Sequence, residues 1–208
     1  MFVISKFKDI VRVPAHSLGQ PIEEVLSEEL NRRFANKVVL DVGLVICLYD
    51  ICNVGESYIF CGDGAVHTRC EYRMIIFRPQ IGEVLIGTLR SSSKEGLIIS
   101  LGFFDSIVVP PQQLSENTVF NEVDQTWSWN FEDDGQTHIL RLEIGEQVRF
   151  RVHSELFVDV SPHGPQATNI GSANANLMSR TDPDRKEVPY SIVGSIGESG
   201  LGLVKWWL

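Results

Sequence analysis

The stretch GEVLIGTLRSSSKEGLIISLGFFDSIVVPP, residues 82–111, holds the strongest architectural signal in the chain. Its three apolar runs, GEVLIGTL, GLIISLG and DSIVVPP, are short, rich in Ile and Val, and bounded by Gly, Ser or Pro, which is how strands separated by turns read. Within it, LIISLGFFDSIVVPP (97–111) reads as two strands meeting at a bend that carries Phe103 and Phe104. Adjacent strand residues face opposite ways, so one ring is expected in the core and the other toward solvent or a neighbour. Downstream, GEQVRFRV supplies another strand, and the whole has the pattern of a small barrel. Between them, WSWNFEDDGQTHILRL alternates on either side of an acidic, Gly-containing turn and reads as an added hairpin, about 124–142. Residues 161–187 hold few apolar side chains and are expected to form a mobile loop. The chain resumes order with PYSIVGSI and closes on GLGLVKWWL, where the bulk of Trp206 and Trp207 favours a last strand that returns to complete the barrel.

Before Pro79 the texture differs. PIEEVLSEELNRRF is the clearest helix: Ile22, Leu26, Leu30 and Phe34 repeat every four residues, Val25 widens the stripe, and Pro21 suits the first turn. Glu28 with Arg32, and Glu29 with Arg33, are expected as i,i+4 pairs on the polar side. The stripe needs a sheet to cover, and strands are on offer in MFVISKFKDIVRVP, KVVLDVGLVICLYDI, ESYIF and HTRCEYRMIIFRP. The expectation is an α+β unit over residues 1–80 followed by an all-β barrel over 81–208.

A chain of 208 residues with 43% hydrophobic content has room for two modest cores. No apolar run approaches the roughly 20 residues that span a bilayer, and the opening MFVISKFKDIVRVP lacks the apolar block of a signal peptide, so an intracellular protein without a membrane partner is expected. Cys47, Cys52, Cys61 and Cys70 all lie in the first unit, which fits reduced thiols better than a disulfide framework. Cys61, His67 and Cys70 offer zinc-ligand chemistry, but without paired CxxC spacing no metal is expected.

Net charge is −9, distributed unevenly: residues 1–80 carry 9 Lys+Arg against 10 Asp+Glu, and residues 81–208 carry 9 against 17, so −8 of the total sits in the second part. Nucleic-acid binding draws most of its non-specific affinity from a basic surface, so this chain needs a partner or a local basic face. Alternation in VRFRV puts Val148, Phe150 and Val152 inward and Arg149 and Arg151 outward, while Arg90 and Lys94 flank the first barrel turn. The outward ring of Phe103 and Phe104 is either a base platform or a partner contact. Glu132, Asp133 and Asp134 look like catalytic carboxylates only out of context, since no nucleophile, base or second ligand set accompanies them. Gly62, Asp63 and Gly64, set between apolar strands, permit a tight exposed turn.

Taken together, GEVLIGTL, GLIISLGFFDSIVVPPQQL and GEQVRFRV resemble the S1 form of the OB fold, a five-stranded barrel that often binds single-stranded RNA. Preceded by a unit that opens MFVISKFKDIVRVP and ends GDGAVHTRCEYRMIIFRP, the chain resembles the larger stalk subunit of multisubunit RNA polymerases, a family with archaeal members. SLGFFDSIVVPP, the RVP after the first strand and GLGLVKWW are similar to the RNA polymerase III branch of that family. The resemblance implies an RNP-like tip domain before the barrel and a non-catalytic, nuclear protein with no cofactor. It also implies docking of the loop at Gly62, Asp63 and Gly64 on the polymerase core, a smaller helical stalk subunit as heterodimer partner, and a barrel that meets nascent single-stranded RNA weakly near initiation factors.

One departure matters. Many S1 domains carry aromatics in the strand corresponding to GLIIS and often a His in that corresponding to SIVVP, whereas this chain has Leu97, Ile98, Ile99 and Val109. Any RNA contact then falls to Arg90, Lys94, Phe103, Phe104, Arg149 and Arg151. The alternative, a free S1-type RNA-binding protein of translation or decay, would not need an N-terminal unit with a long GDG-containing loop.

Overall fold

Strand alternation builds the first unit, in a computed structural model that describes residues 1–133, 136–160 and 188–207. Strand β1 (Phe2–Val13) turns Val11 and Val13 to one side and Ile10 and Arg12 to the other. With β2 (Val38–Val39), β3 (Gly43–Ile59) and β4 (Val66–Phe77) it forms an antiparallel sheet in the order β1-β4-β3-β2. One face of the sheet, including Val11, Val13, Tyr72, Met74 and Ile76, is covered by the helix α1 (Ile22–Phe34), which buries Val25, Leu26 and Leu30 against it.

The four-residue stripe is only partly core. Leu26 and Leu30 are fully buried, but Ile22 is 40% exposed and Phe34 is half-buried against Tyr72. A helix turns in 3.6 residues, so an i,i+4 row drifts by about 40° per step and only its centre can face one sheet. The expected i,i+4 ion pairs are also replaced: Arg32 pairs with Glu29, and Arg33 reaches Asp9 on β1 at 2.9 Å. ESYIF is not a separate strand. It continues β3, a 17-residue strand whose register against β4 shifts four times, and these bulges let one long strand follow its twisting partner.

The remaining strands are β5 (Val84–Ser93), β6 (Gly96–Ser100), β7 (Ile107–Val109), β8 (Thr118–Asn121), β9 (Thr126–Asp133), β10 (Gln136–Arg141), β11 (Gln147–Phe157), β12 (Tyr190–Ser195) and β13 (Gly202–Leu203). Strands β5, β6 and β7 run as an antiparallel meander. Strand β12 lies parallel to β7 and antiparallel to β11, and β11 returns to β5, so the ring closes with five strands as an OB fold does. Leu89, Leu97, Ile99, Ile107, Val109, Val148, Phe150 and Ile192 fill it with no exposed surface.

The closing strand is therefore PYSIVGS and not the terminal GLGLVKWW, contrary to the expectation. Among the described residues, strand β13 pairs only with Val148 and Arg149, after which the chain coils into a 3₁₀ turn over Val204–Trp207. Gly202 explains the break: its φ is +99°, and a Cβ there would lie 2.6 Å from the Trp206 ring, so only glycine lets that ring fold back over the backbone. Trp206 is half-buried and Trp207 remains 41% exposed.

The added hairpin is present as β9 and β10, and β8 extends it to a three-stranded sheet in the order β10-β9-β8. Trp127 fixes this sheet to the barrel, donating from its indole nitrogen to the Ser93 carbonyl at 2.8 Å. The expected hairpin turn at Asp134 and the expected loop at 161–187 lie outside the described residues.

Candidate functional site

The two ends of the β3–β4 ribbon carry the side chains that matter. At the near end, where Leu44 pairs with Phe77, both residues leave the first unit's core and join the barrel's. Phe77 is fully buried among Phe2 at 5.7 Å, Phe103 at 5.0 Å and Phe104 at 5.2 Å between ring centres. Phe104 continues to Tyr190 at 5.4 Å, and Phe157 stacks on Tyr190 at 4.5 Å. The residue after Phe77 locks the seam: Arg78 donates through Nε to the Glu155 carboxylate at 3.2 Å, also pairs with it through Nη2, and donates through Nη1 to the Asp41 carbonyl at 2.6 Å.

This seam answers the question posed by the Phe103–Phe104 bend. Phe104 is the inward ring, only 6% exposed, and has no free face on which a base could stack. Phe103 points outward from the barrel and meets Phe2, at 5.9 Å, and Phe77, yet 45% of it stays exposed, so the outward ring is both a seam contact and a free apolar surface. The bend joins the barrel to the first unit.

At the far end Ile59 pairs with Val66, and the chain turns through Gly62, Asp63 and Gly64. Gly62 adopts φ +91°, and neither Gly62 nor Gly64 has an atom within 4 Å of where a Cβ would stand. Asp63 organises the turn from within. It accepts hydrogen bonds from Arg12 Nε at 3.0 Å and Nη2 at 2.7 Å, and lies 2.9 Å from His67 Nε2. The Arg12 guanidinium, followed by His67, holds the Asp63 carboxyl well below the usual carboxylate range. Beside this tied turn Ile59 and Phe60 are exposed, with Phe60 set edge-on to Tyr58 at 5.1 Å and to His67 at 4.8 Å.

Composition gave no hint of Arg12 and His67 as loop-holders, but register could have. Counting in step from Phe2↔Phe77 places Arg12 directly opposite His67. The trio Cys61, His67 and Cys70 does not converge: Cys61 is exposed, while Cys70 is buried in the core beneath α1, where burial pushes its thiol up to about 11.

Each candidate cation on the barrel is already engaged. Arg149 and Arg151 on β11 lie opposite Ile86 and Val84 on β5, on the outer face as alternation requires. Arg151 pairs with Glu198 at 2.8 Å and donates to the Gly82 carbonyl at 3.3 Å, while Arg149 donates to the Gly200 carbonyl at 3.2 Å. Arg90 pairs with Asp105, and Lys94 lies 3.4 Å from Glu122. The Ser100 hydroxyl, with help from Arg90, holds Asp105 below its usual range. Exposed pairs of this kind are worth little to stability, but each carboxylate offsets the field its partner could offer a phosphate.

Comparison with known proteins agrees with this architecture. Residues 83–207 match the family model for RNA polymerase III subunit Rpc25, and residues 8–64 match the SHS2 domain found in the N terminus of Rpb7p/Rpc25p/MJ0397. The chain is 44% identical to DNA-directed RNA polymerase III subunit RPC8 of Bos taurus over 207 residues, covering 100% of this chain and 98% of that protein. It is 36% identical to the corresponding subunit of Schizosaccharomyces pombe, with 100% of both chains covered. An archaeal relative, DNA-directed RNA polymerase subunit Rpo7 of Saccharolobus solfataricus, is 29% identical over 123 residues, 59% of this chain and 68% of that one. With an SHS2 tip domain joined through an aromatic seam to a closed OB barrel, the chain belongs to the RNA polymerase III subunit Rpc25 family.

Proposed function

We propose that this chain is a non-catalytic stalk subunit of nuclear RNA polymerase III. Residues 1–80 act as a tip domain that docks on the polymerase core, and residues 81–208 act as a barrel domain that projects toward nascent RNA and initiation factors, with a smaller helical stalk subunit as heterodimer partner. The observation that carries this reading is the polarity of the β3–β4 ribbon, whose near end is buried in the barrel core while its far end presents a tied loop flanked by exposed Ile59 and Phe60. A part that must hold one body at a fixed distance from another is built this way. Its relatives are named as polymerase subunits, which agrees with an assembly role.

Contact with RNA, on this reading, is weak and transient. Arg149 and Arg151 share an outer wall, but every candidate cation already has a carboxylate or carbonyl partner, and residues 81–208 carry a net −8. Few free phosphate contacts mean low affinity and steep salt sensitivity, so tethering to the polymerase supplies the local concentration.

The test of docking uses Gly64, which has open space and an unstrained φ, whereas a side chain at Gly62 would meet a backbone it rarely adopts. Native purification of a tagged Gly64→Trp chain is expected to lose the large polymerase subunits while its unfolding midpoint stays unchanged. Full recovery of those subunits with the folded variant would remove the far-end loop from the docking interface.

A further inference from the structure

A second surface lies on the barrel, away from the tip. Between the three-stranded sheet and the terminal 3₁₀ turn runs a groove of about 640 Å³, floored by Trp129, Phe131, Leu140, Trp206 and Trp207. Trp129 stands 5.5 Å from Trp206 and 5.2 Å from Phe131 between ring centres. The barrel does not need these rings for closure, which β12 provides.

The turn that presents the two terminal tryptophans is held by independent ties. Lys205 is pinned to the barrel by Glu143 at 2.9 Å and Glu146 at 3.3 Å. Trp206 lies against the Gly202 backbone. Trp207 donates its indole N–H inward to the Leu201 carbonyl at 2.9 Å, which satisfies its polar atom and leaves an apolar ring 41% exposed. A tied tryptophan whose N–H is already satisfied, as that of Trp207 is, binds at low ordering cost.

The charge of the walls selects the occupant. Glu116 and Glu198 line the groove, and among the described lining residues there is no Lys or Arg. Glu198 is shared with Arg151 and Arg149 is turned to the Gly200 carbonyl outside the lining, whereas Glu116 is exposed and meets no cation among the described residues, so the unneutralised charge of the lining is a carboxylate beside an aromatic floor. Phosphates are repelled by such a rim, and a cationic side chain gains both the carboxylate and the ring faces. Asn117 and Asn130, also in the lining, offer amides to an extended backbone.

We propose that this groove docks a peptide segment of a partner protein in which Lys or Arg flanks an apolar anchor. The inference is independent of the docking role of the tip loop. The test titrates the full-length protein with the peptide acetyl-Arg-Leu-Arg-Phe-Lys-amide, its charge-reversed counterpart acetyl-Glu-Leu-Glu-Phe-Glu-amide and a short oligouridine, following the indole N–H resonances by NMR. The basic peptide is expected to shift the signals of Trp129, Trp206 and Trp207 and leave that of buried Trp127 in place. Trp207→Ala should weaken binding by about fivefold or more, and Glu116→Gln by about threefold at low salt. The unchanged Trp127 signal certifies the fold of each variant, and Glu116→Gln decides the matter if Trp207→Ala does not fold. Equal response to the acidic peptide, a response to oligouridine in place of the basic peptide, or no response to any probe would overturn the proposal.

Discussion

The two ends of the β3–β4 ribbon have the same backbone and opposite surroundings. At one, Phe77 has no exposed surface and touches three other phenylalanine rings; at the other, Phe60 is 54% exposed on a loop fixed by the Arg12–Asp63–His67 ties and by one backbone hydrogen bond, from the Asp63 N–H to the Phe60 carbonyl at 3.2 Å. Twelve residues of β4 separate them, roughly 40 Å at strand spacing. Hydrophobic burial fixes the joint and ion pairing shapes the free end; on the proposed docking role, a rigid joint keeps docking energy from being lost in a hinge.

Damage to the near end should cost the most. Phe77→Ala removes a fully buried ring from the barrel core and should lower stability by about 3–5 kcal/mol, measured by denaturant unfolding. Phe60→Ala, at the exposed end, should change it by less than about 0.5 kcal/mol. Next comes Leu26→Ala, beneath the ribbon's middle, where loss of a fully buried leucine should cost about 2–5 kcal/mol. An unshifted midpoint would mean that α1 is not held to the sheet. Glu155→Gln should cost about 1 kcal/mol, because the Arg78 guanidinium is still partly exposed and keeps its bond to Asp41. That variant separates the two components of the joint, since it weakens the polar part of the seam and leaves its rings in place.

At the loop the effect is slighter and depends on pH. The folded-state pKa of Asp63 is depressed, so its contribution is complete above the unfolded value of roughly 3.9 and is lost only as pH falls through the lower folded value. The Asp63 carboxyl-carbon NMR shift should therefore titrate below the range of a free aspartate, and Arg12→Ala should return its midpoint toward that range. An ordinary midpoint in the parent protein would show that Arg12 and His67 do not hold the turn.

Much of this was legible in the residues. The Gly- and Pro-bounded runs of 82–111 are β5, β6 and β7, and the Ile22–Phe34 period is α1. Alternation placed Val148, Phe150 and Val152 inside the barrel, as found. What alternation cannot encode is which strand pairs with which: PYSIVGS and GLGLVKWW are both apolar, and only the positive φ of Gly202 under Trp206 decides that the second coils away. The bend at Phe103 and Phe104 was similarly ambiguous, because the ring that leaves the barrel is packed by Phe2 and Phe77, residues distant in sequence. Among the candidate cations, outward direction was readable, but their acidic partners Asp105, Glu122 and Glu198 come from other segments.

Whether the far end of the ribbon docks can be tested by placing a photo-crosslinking amino acid at position 60, on the far-end loop, or at position 123, where Val123 is 90% exposed between β8 and β9 in the second unit, and mapping adducts in the purified polymerase. Position 60 is expected to give adducts on the large core subunits, and position 123 none there. Core adducts from position 123 with none from position 60 would contradict this division of labour, because the free end of the ribbon would then not be the end that docks.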